Sequence, residues 1–312
     1  MRALGRTALS GVVTILLSSL VVFAALDLAP GDPAARLAGN RATQQMIQQI
    51  SHRYGLDQPF WERYTHWLAG ALHGDFGPSL EYRQSVSSLI SPRVGTTFVL
   101  VGYASTIILV LGIGAGVLAT VVRRSNLAVT IGSGVLIAIP TFVAAFLLVG
   151  LFGLKLGWFP VLGSSSGGLL DRLWHLTLPA FALALSWAAY VAQITRASLR
   201  EQASREHVET ARGRGLTESQ VFRRHILRNG AIPIVTVSGL TVAGLIAGSV
   251  VVEQAFGIDG LGSFLVQSVS AKDYNAVLAI TLILVAAFVI ITTLADLIHI
   301  LLDPRVRARA QP

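Results

Sequence analysis

Six apolar runs, near residues 8–28, 97–121, 128–152, 175–195, 232–252 and 277–301, constrain this chain more than anything else in it. Crossing about 30 Å of hydrocarbon takes roughly 20 helical residues, and each run meets that length. The runs are continuously apolar, without the alternation that lets a barrel strand face lipid and lumen in turn, so helices are expected. Of 312 residues, 53% are hydrophobic and only 13% charged, against about 25% charged in a soluble domain. The predicted fold class is therefore all-α, a polytopic membrane protein with about six transmembrane helices. Three segments follow: 1–28, with the first span; 29–95, expected to be an extracytoplasmic segment with short helices; and 96–312, a transmembrane core that includes a polar loop at 196–231, expected on the cytoplasmic side.

The charge pattern sets an orientation. With the N-terminus in the cytoplasm, the inside segments hold Arg2 and Arg6, Arg123 and Arg124, eight arginines of 196–231, and Arg305, Arg307 and Arg309, fifteen of the 24 basic residues. Six more fall in 27–95, where Asp27, Asp32, Asp57, Glu62, Asp75 and Glu81 balance them. Basic residues in short loops mark the cytoplasmic side and long translocated loops count little, so both termini are expected inside a bacterial inner membrane. The formal charge of +8 is distributed by membrane side rather than gathered on one face, so no nucleic-acid partner is predicted. The chain has no cysteine, which removes disulfides, thiolate metal sites and a thiol nucleophile. Residues 1–26 resemble a signal peptide, but the apolar run exceeds a usual h-region and is expected to stay as the first span.

Outside the membrane, Pro30-Gly31-Asp32-Pro33 stops the first helix. Thr43 is placed to cap a short helix carrying Met46, Ile47 and Ile50 and ending at Gly55. Pro59 opens a second, with Phe60, Tyr64, Leu68 and Leu72 along one stripe and Trp61 and Trp67 at headgroup level. The segment reads first as a small packed layer on the outer membrane surface and, as the functional alternative, as a platform for a soluble partner; periodicity alone does not separate the two. The segments 153–174 and 253–276, with Gly163-Ser164-Ser165-Ser166-Gly167-Gly168 and Gly257, Gly260 and Gly262, read as loops that line or cover an opening.

Absences limit the energy source. A P-loop needs a lysine after glycine, and the only lysines are Lys155 after Leu154 and Lys272 after Ala271, so this chain has no Walker site. Titratable groups near the spans are few: His175, Glu253, Asp296 and His299 all lie towards span ends. An ion-coupled carrier using Asp296 or His299, and a non-transporting scaffold, are the rival readings to an external motor. The polar loop suits docking of such a motor. Ser204 is placed to cap a helix through about Arg214, Gly215 to break it, and Thr217 with Gln220 to form a capping box for the next helix. Small Ala211 would let a groove wall approach, and the arginines can pair with carboxylates in bidentate fashion. No residue in the loop has the character of a catalyst, and the chain is not expected to be an enzyme.

Within that loop, Glu209-Thr210-Ala211-x3-Gly215 resembles the coupling signature of ABC-type import permeases. Thr210-Ala211-Arg212-x2-Gly215-Leu216 and His225-x-Leu227-Arg228-Asn229-x3-Pro233 resemble its form in the dipeptide, oligopeptide and nickel branch. Pro30-Gly31-Asp32-Pro33, Gly55-Leu56-Asp57-Gln58-Pro59, Gly74-Asp75-Phe76-Gly77-Pro78-Ser79, Glu253-x2-Phe256-x3-Gly260-Leu261-Gly262, Asp273-Tyr274 and Asp303-Pro304-Arg305 extend the resemblance along the chain. Thr210 departs from a Glu-Ala-Ala triplet, and Arg228, Asp259 and Asn275 stand where proline is common. The resemblance implies a type I ABC importer permease fold and half of a translocation pathway for di- or oligopeptides, with nickel complexes, glutathione or haem as alternative cargoes. It also implies a second homologous permease subunit, two ATP-binding subunits that use the ATP and Mg, and an extracytoplasmic substrate-binding protein, with no cofactor or metal in this chain. Glu209, Thr210, Ala211, Arg212, Gly215, Leu216, His225, Leu227, Arg228 and Asn229 are the implied ATPase-coupling residues. Tyr190, Gln193 and Glu253 are candidates for the substrate path, being polar or amphipathic side chains in or beside spans.

Overall fold

The computed structural model describes residues 2–28, 34–35, 42–53, 55–79, 81–122, 124–163 and 167–302. The Pro30–Pro33 stop, Arg123, Ser164–Ser166 and the Asp303-Pro304-Arg305 tail lie outside them. No strand occurs among the described residues. The helices are α1 (Arg2–Asp27), α2 (Gln44–Arg53), α3 (Phe60–Leu72), α4 (Val86–Val121), α5 (Ser125–Ala138), α6 (Thr141–Lys155), α7 (Leu169–Ala203), α8 (Glu206–Gly213), α9 (Glu218–Ala255), α10 (Leu261–Ala271) and α11 (Tyr274–Leu302). Five of them, α1, α4, α7, α9 and α11, are long and apolar enough to span a membrane.

The run at 128–152 is not one straight helix. It forms α5 and α6, bent by 103° across Ile139 and Pro140. Proline has no N–H to give and disfavours helical backbone in the residue before it, so Ile139 turns extended. One side-chain and one backbone hydrogen bond tie the two ends of this region to opposite ends of the bundle. Asn126 at the start of α5 accepts from Arg196 near the end of α7 at 2.7 Å, while Gly163, just beyond α6, donates to Phe256 beyond the end of α9 at 2.9 Å.

The centre is α7 with α9, surrounded by α4, α5 and α6, while α11 packs on the far side of α9 and α1 on α11. A bilayer offers no hydrophobic drive between helices, so close approach and van der Waals packing must supply the association. Glycines provide the approach. A Cβ on Gly116 of α4 would stand 2.5 Å from Thr195 Cβ of α7, one on Gly112 2.8 Å from the Ala188 carbonyl, and one on Gly239 of α9 2.2 Å from Ala295 Cβ of α11.

The extramembrane segment forms the two expected helices. Thr43 Oγ1 accepts from the Met46 N–H at 3.4 Å, α2 ends before Gly55 at φ +63°, and Pro59 precedes α3. Phe60, Tyr64 and Leu68 pack with Phe23 of α1 and Leu278 of α11, but Leu72 at the end of the stripe is exposed. Trp67 is also buried in this cluster, against Phe23, rather than presented to headgroups, whereas Trp61 is exposed. The segment 253–276 is a second departure, since α10 replaces the expected loop and packs Leu261 and Phe264 into the main core.

Candidate coupling site

The polar loop folds as a small unit with its own apolar core. α7 runs to Ala203, and Ser204 closes that helix, its Oγ donating to the Glu201 carbonyl at 2.9 Å. Ser204 therefore ends one helix rather than starting the next; α8 begins after Arg205 without a side-chain cap. Val208 and Ala211, one turn apart on α8, are buried against Leu199 of α7 and Val221, Ile226 and Ile234 of α9, with Ile113 and Val117 of α4 alongside. The smallness of Ala211 thus serves the chain's own packing, not a partner's wall. One cluster ties α8 to three membrane helices.

The end of α8 is a Schellman motif. Gly215 takes φ +80°, its N–H donates to the Arg212 carbonyl at 2.9 Å, and the Leu216 N–H donates to the Ala211 carbonyl at 3.4 Å. Leu216 also joins the cluster that holds Ala211, the apolar contact that usually accompanies this cap. Thr217 and Gln220 then make the expected capping box at the start of α9. Arg212 spans the turn with a fork onto Glu218, at 2.8 and 3.3 Å, and the Glu218 carboxylate raises the Arg212 pKa above its ordinary value. Beyond the box, Phe222–Leu227 form a π-helical segment that carries half-buried His225 and Leu227 and leads to exposed Arg228 and Asn229. His207 of α8 lies 6.3 Å from the His225 ring, and its Nε2 is 3.2 Å from the Asn229 amide nitrogen.

The outward face of α8 carries Glu206, Glu209 and Thr210. Among the described residues, Arg214, Arg223, Arg224 and Arg228 have no carboxylate within ion-pair distance. A rigid unit with buried apolar anchors and an exposed charged surface is suited to carry a push from a soluble partner into the spans.

Comparisons with known proteins show the family of the chain as a whole. Residues 108–308 match the family described as "Binding-protein-dependent transport system inner membrane component", and residues 1–101 match the N-terminal family of the same system. The chain belongs to this family. It is the permease subunit of an ABC importer, a multi-pass membrane protein and not an enzyme. It is 36% identical over 298 residues, 94% of its length, to the glutathione transport system permease protein GsiC of Escherichia coli (strain K12), covering 95% of that protein. The GsiC protein of Shigella dysenteriae serotype 1 is similar to the same degree, 36% over 298 residues. In fold, the chain resembles a crystal structure of an amino acid ABC transporter with histidines, at TM-score 0.55 and 22% identity over 68% of this chain and 94% of that one. It also resembles the MetNI methionine ABC transporter in an inward facing conformation, at TM-score 0.51 and 21% identity over 72% of this chain and 97% of that one. The fold is that of a type I ABC importer permease.

In this importer subunit the three path candidates do not meet. Tyr190 is partly exposed on α7 beside Trp187, and Gln193 one turn later donates to Ser133 Oγ of α5 at 3.2 Å. Glu253 lies in the buried contact of α9, α4 and α10. Its carboxylate accepts from Thr97 Oγ1 at 2.6 Å and from the Ser263 N–H at 2.9 Å, and Thr97 Oγ1 in turn accepts from the Leu261 N–H at 2.8 Å. A Cβ on Gly260 would fall 2.5 Å from the Glu253 carboxyl carbon, and one on Gly262 2.6 Å from Val250 Cα. This explains the Gly260-Leu261-Gly262 spacing: α10 must approach α9 without side chains in the way. Arg93 adds an ion pair to Asp259 at 2.7 Å and lies 4.4 Å from the Phe264 ring centroid. Sequence reasoning missed Thr97 and Arg93, since neither stands near Glu253 in the chain.

The knot gives a stability test. Thr97→Val keeps the shape but leaves a buried carboxylate oxygen and the Leu261 N–H unbonded, which costs about 1–3 kcal/mol per group. Thermal unfolding of the variant in detergent should show a lower midpoint, and an unchanged midpoint would mean that the knot does not hold α10.

Proposed function

We propose that this chain forms half of the translocation pathway of an ATP-driven importer for peptides, and that α8 receives the movement of the ATPase. The observation that carries this reading is the apolar cluster joining Val208 and Ala211 of α8 to α4, α7 and α9. Partners of the proposed assembly are a second homologous permease subunit, two ATP-binding subunits that use ATP and Mg, and an extracytoplasmic substrate-binding protein. Glu209, Thr210, Arg212, Gly215, Leu216, His225, Leu227, Arg228 and Asn229 form the coupling unit, and Tyr190 and Gln193 on α7 remain the candidates that face the path. Likeness to GsiC favours glutathione, itself a tripeptide, among the cargoes. Nucleotide would drive the switch only through an ATPase that prefers one permease state, since equal affinity for both shifts nothing.

Purification of the subunit from its native membrane in mild detergent tests the assembly. Recovery of a second permease and Walker-motif ATPases, lost in a Val208→Asp variant, is the expected result; recovery of the chain alone, active in liposomes without ATP, would sink the proposal. Competition of labelled glutathione uptake by unlabelled dipeptides would then place the cargo.

The proposed orientation puts both termini and α8 in the cytoplasm and α2 and α3 outside. The cysteine-free chain allows a direct check. Ser79 is unsuitable as a labelling site because it is buried and bonds to Asp273. Exposed Glu81 and Ser219 serve instead. Single cysteines there should react with an impermeant maleimide from opposite sides, and same-side labelling would overturn the topology.

A further inference from the structure

A cavity of about 720 Å³ opens where α1, α2, α3 and the first turn of α11 meet. Its floor is apolar, with Phe23 and Leu26 one turn inside the end of α1, Leu278 one turn inside α11, and Trp67 between them. Its rim is polar and includes Arg53, Arg63, Asp27 and Asp75. Arg63 and Asp27 pair with each other. Arg53 has no ion pair among the described residues, and Asp75 accepts only from the Gly77 N–H, at 2.9 Å. One unmatched cation and one unmatched anion therefore stand over an aromatic floor. Leu278 also borders a crevice between α1 and α11, lined by Ser18, Ser19, Val22, Thr281, Leu282 and Val285, that is too narrow to admit a water molecule. Only 6% of the apolar window of α1 is buried in the protein, so the crevice lies at the lipid-facing edge, away from the α4, α7 and α9 centre.

We infer that this cavity seats the headgroup of an aminophospholipid whose acyl chains lie against the exposed apolar face of α1. The gradient from polar rim to apolar floor coincides with the ends of two spans, where headgroups give way to hydrocarbon. Arg53 matches the phosphate and Asp75 matches the primary ammonium. The lipid fills the lightly packed joint of α1 and thereby fixes the extramembrane layer of α2 and α3 to the transporter. Which leaflet supplies it rests on the topology proposed above; the binding itself does not.

Native mass spectrometry of the full importer, exchanged into detergent with equal phosphatidylethanolamine, phosphatidylcholine and phosphatidylglycerol, tests the assignment. Phosphatidylethanolamine should be retained preferentially, because the quaternary ammonium of phosphatidylcholine cannot donate to Asp75. Arg53→Gln and Asp75→Asn should each lower that retention about tenfold, as loss of a charge-assisted hydrogen bond implies. Both side chains are exposed and asparagine keeps the acceptor for Gly77, so folding is preserved. Equal retention of phosphatidylcholine, preference for phosphatidylglycerol, or retention indifferent to both substitutions would overturn the site. None of these results depends on which face of the membrane the layer occupies, so failure here is distinct from failure of the topology.

Discussion

Proline at position 215 should reduce uptake by at least about tenfold while the assembled importer still hydrolyses ATP. Gly215 sits at φ +80° and donates its N–H to the Arg212 carbonyl. Proline fixes φ near −65° and has no N–H, so both the turn and the cap are lost together. α8 stays attached through Val208 and Ala211, whose main contacts are with Leu199, Val221, Ile226 and Ile234, with Leu216 of the turn only at the margin of the cluster. Assembly therefore persists while the orientation of α8 relative to α9 is released. Two variants calibrate the result. Gly215→Ala forces an L-residue into left-handed backbone at a cost of roughly 1–2 kcal/mol and should give a partial defect. Gly213→Ala meets open space within α8 and should transport normally. Glu209→Arg, which reverses an exposed charge on the outward face, should uncouple in the same way without disturbing the fold. Uptake and ATPase activity measured side by side in proteoliposomes decide the matter, and normal uptake by Gly215→Pro would remove α8 from the coupling role.

The largest structural effect is expected at Gly116. Leucine there places its Cβ 2.5 Å from Thr195 Cβ and 2.7 Å from the Ala192 carbonyl oxygen. The obstacle includes backbone of the central helix α7, which cannot rotate aside, so α4 and α7 must separate along their contact. Overpacking costs about 1–3 kcal/mol where side chains can adjust, and more is expected here. The variant should lose monodispersity in detergent and accumulate poorly in the membrane. Gly114→Leu, two residues away on the same helix, meets nothing within 4 Å on an exposed face and should behave as the parent. Equal behaviour of the two variants on size exclusion would show that the glycine contact does not set the packing.

The comparison of Gly116 with Gly114 also shows where the sequence stops informing. Both sit in the same apolar run, and hydropathy assigns them one membrane depth without saying which faces α7 and which faces lipid. Lipid is as apolar as a protein core, so the helical stripe that separates inside from outside in a soluble protein is weak here.

What the sequence determined by itself is local or one-dimensional. Run length placed the spans; Thr43, Pro59, Gly215 and the Thr217–Gln220 box placed helix ends, because caps and turns need particular backbone chemistry within a few residues. Motif order along the chain was enough to identify an ABC import permease, while the surface of α8 offered to a partner remains a proposal. The tertiary structure decided everything that depends on a contact across the chain. It broke the 128–152 run at Pro140, made Ser204 a terminator instead of a cap, turned Ala211 inward and buried Trp67. It built α10 where loops were expected, and assigned Glu253 to a knot with Thr97, 156 positions away. Such contacts join residues with no spacing relationship, and their free energy comes from close packing and from satisfying buried polar groups. Those terms exist only once the helices have met.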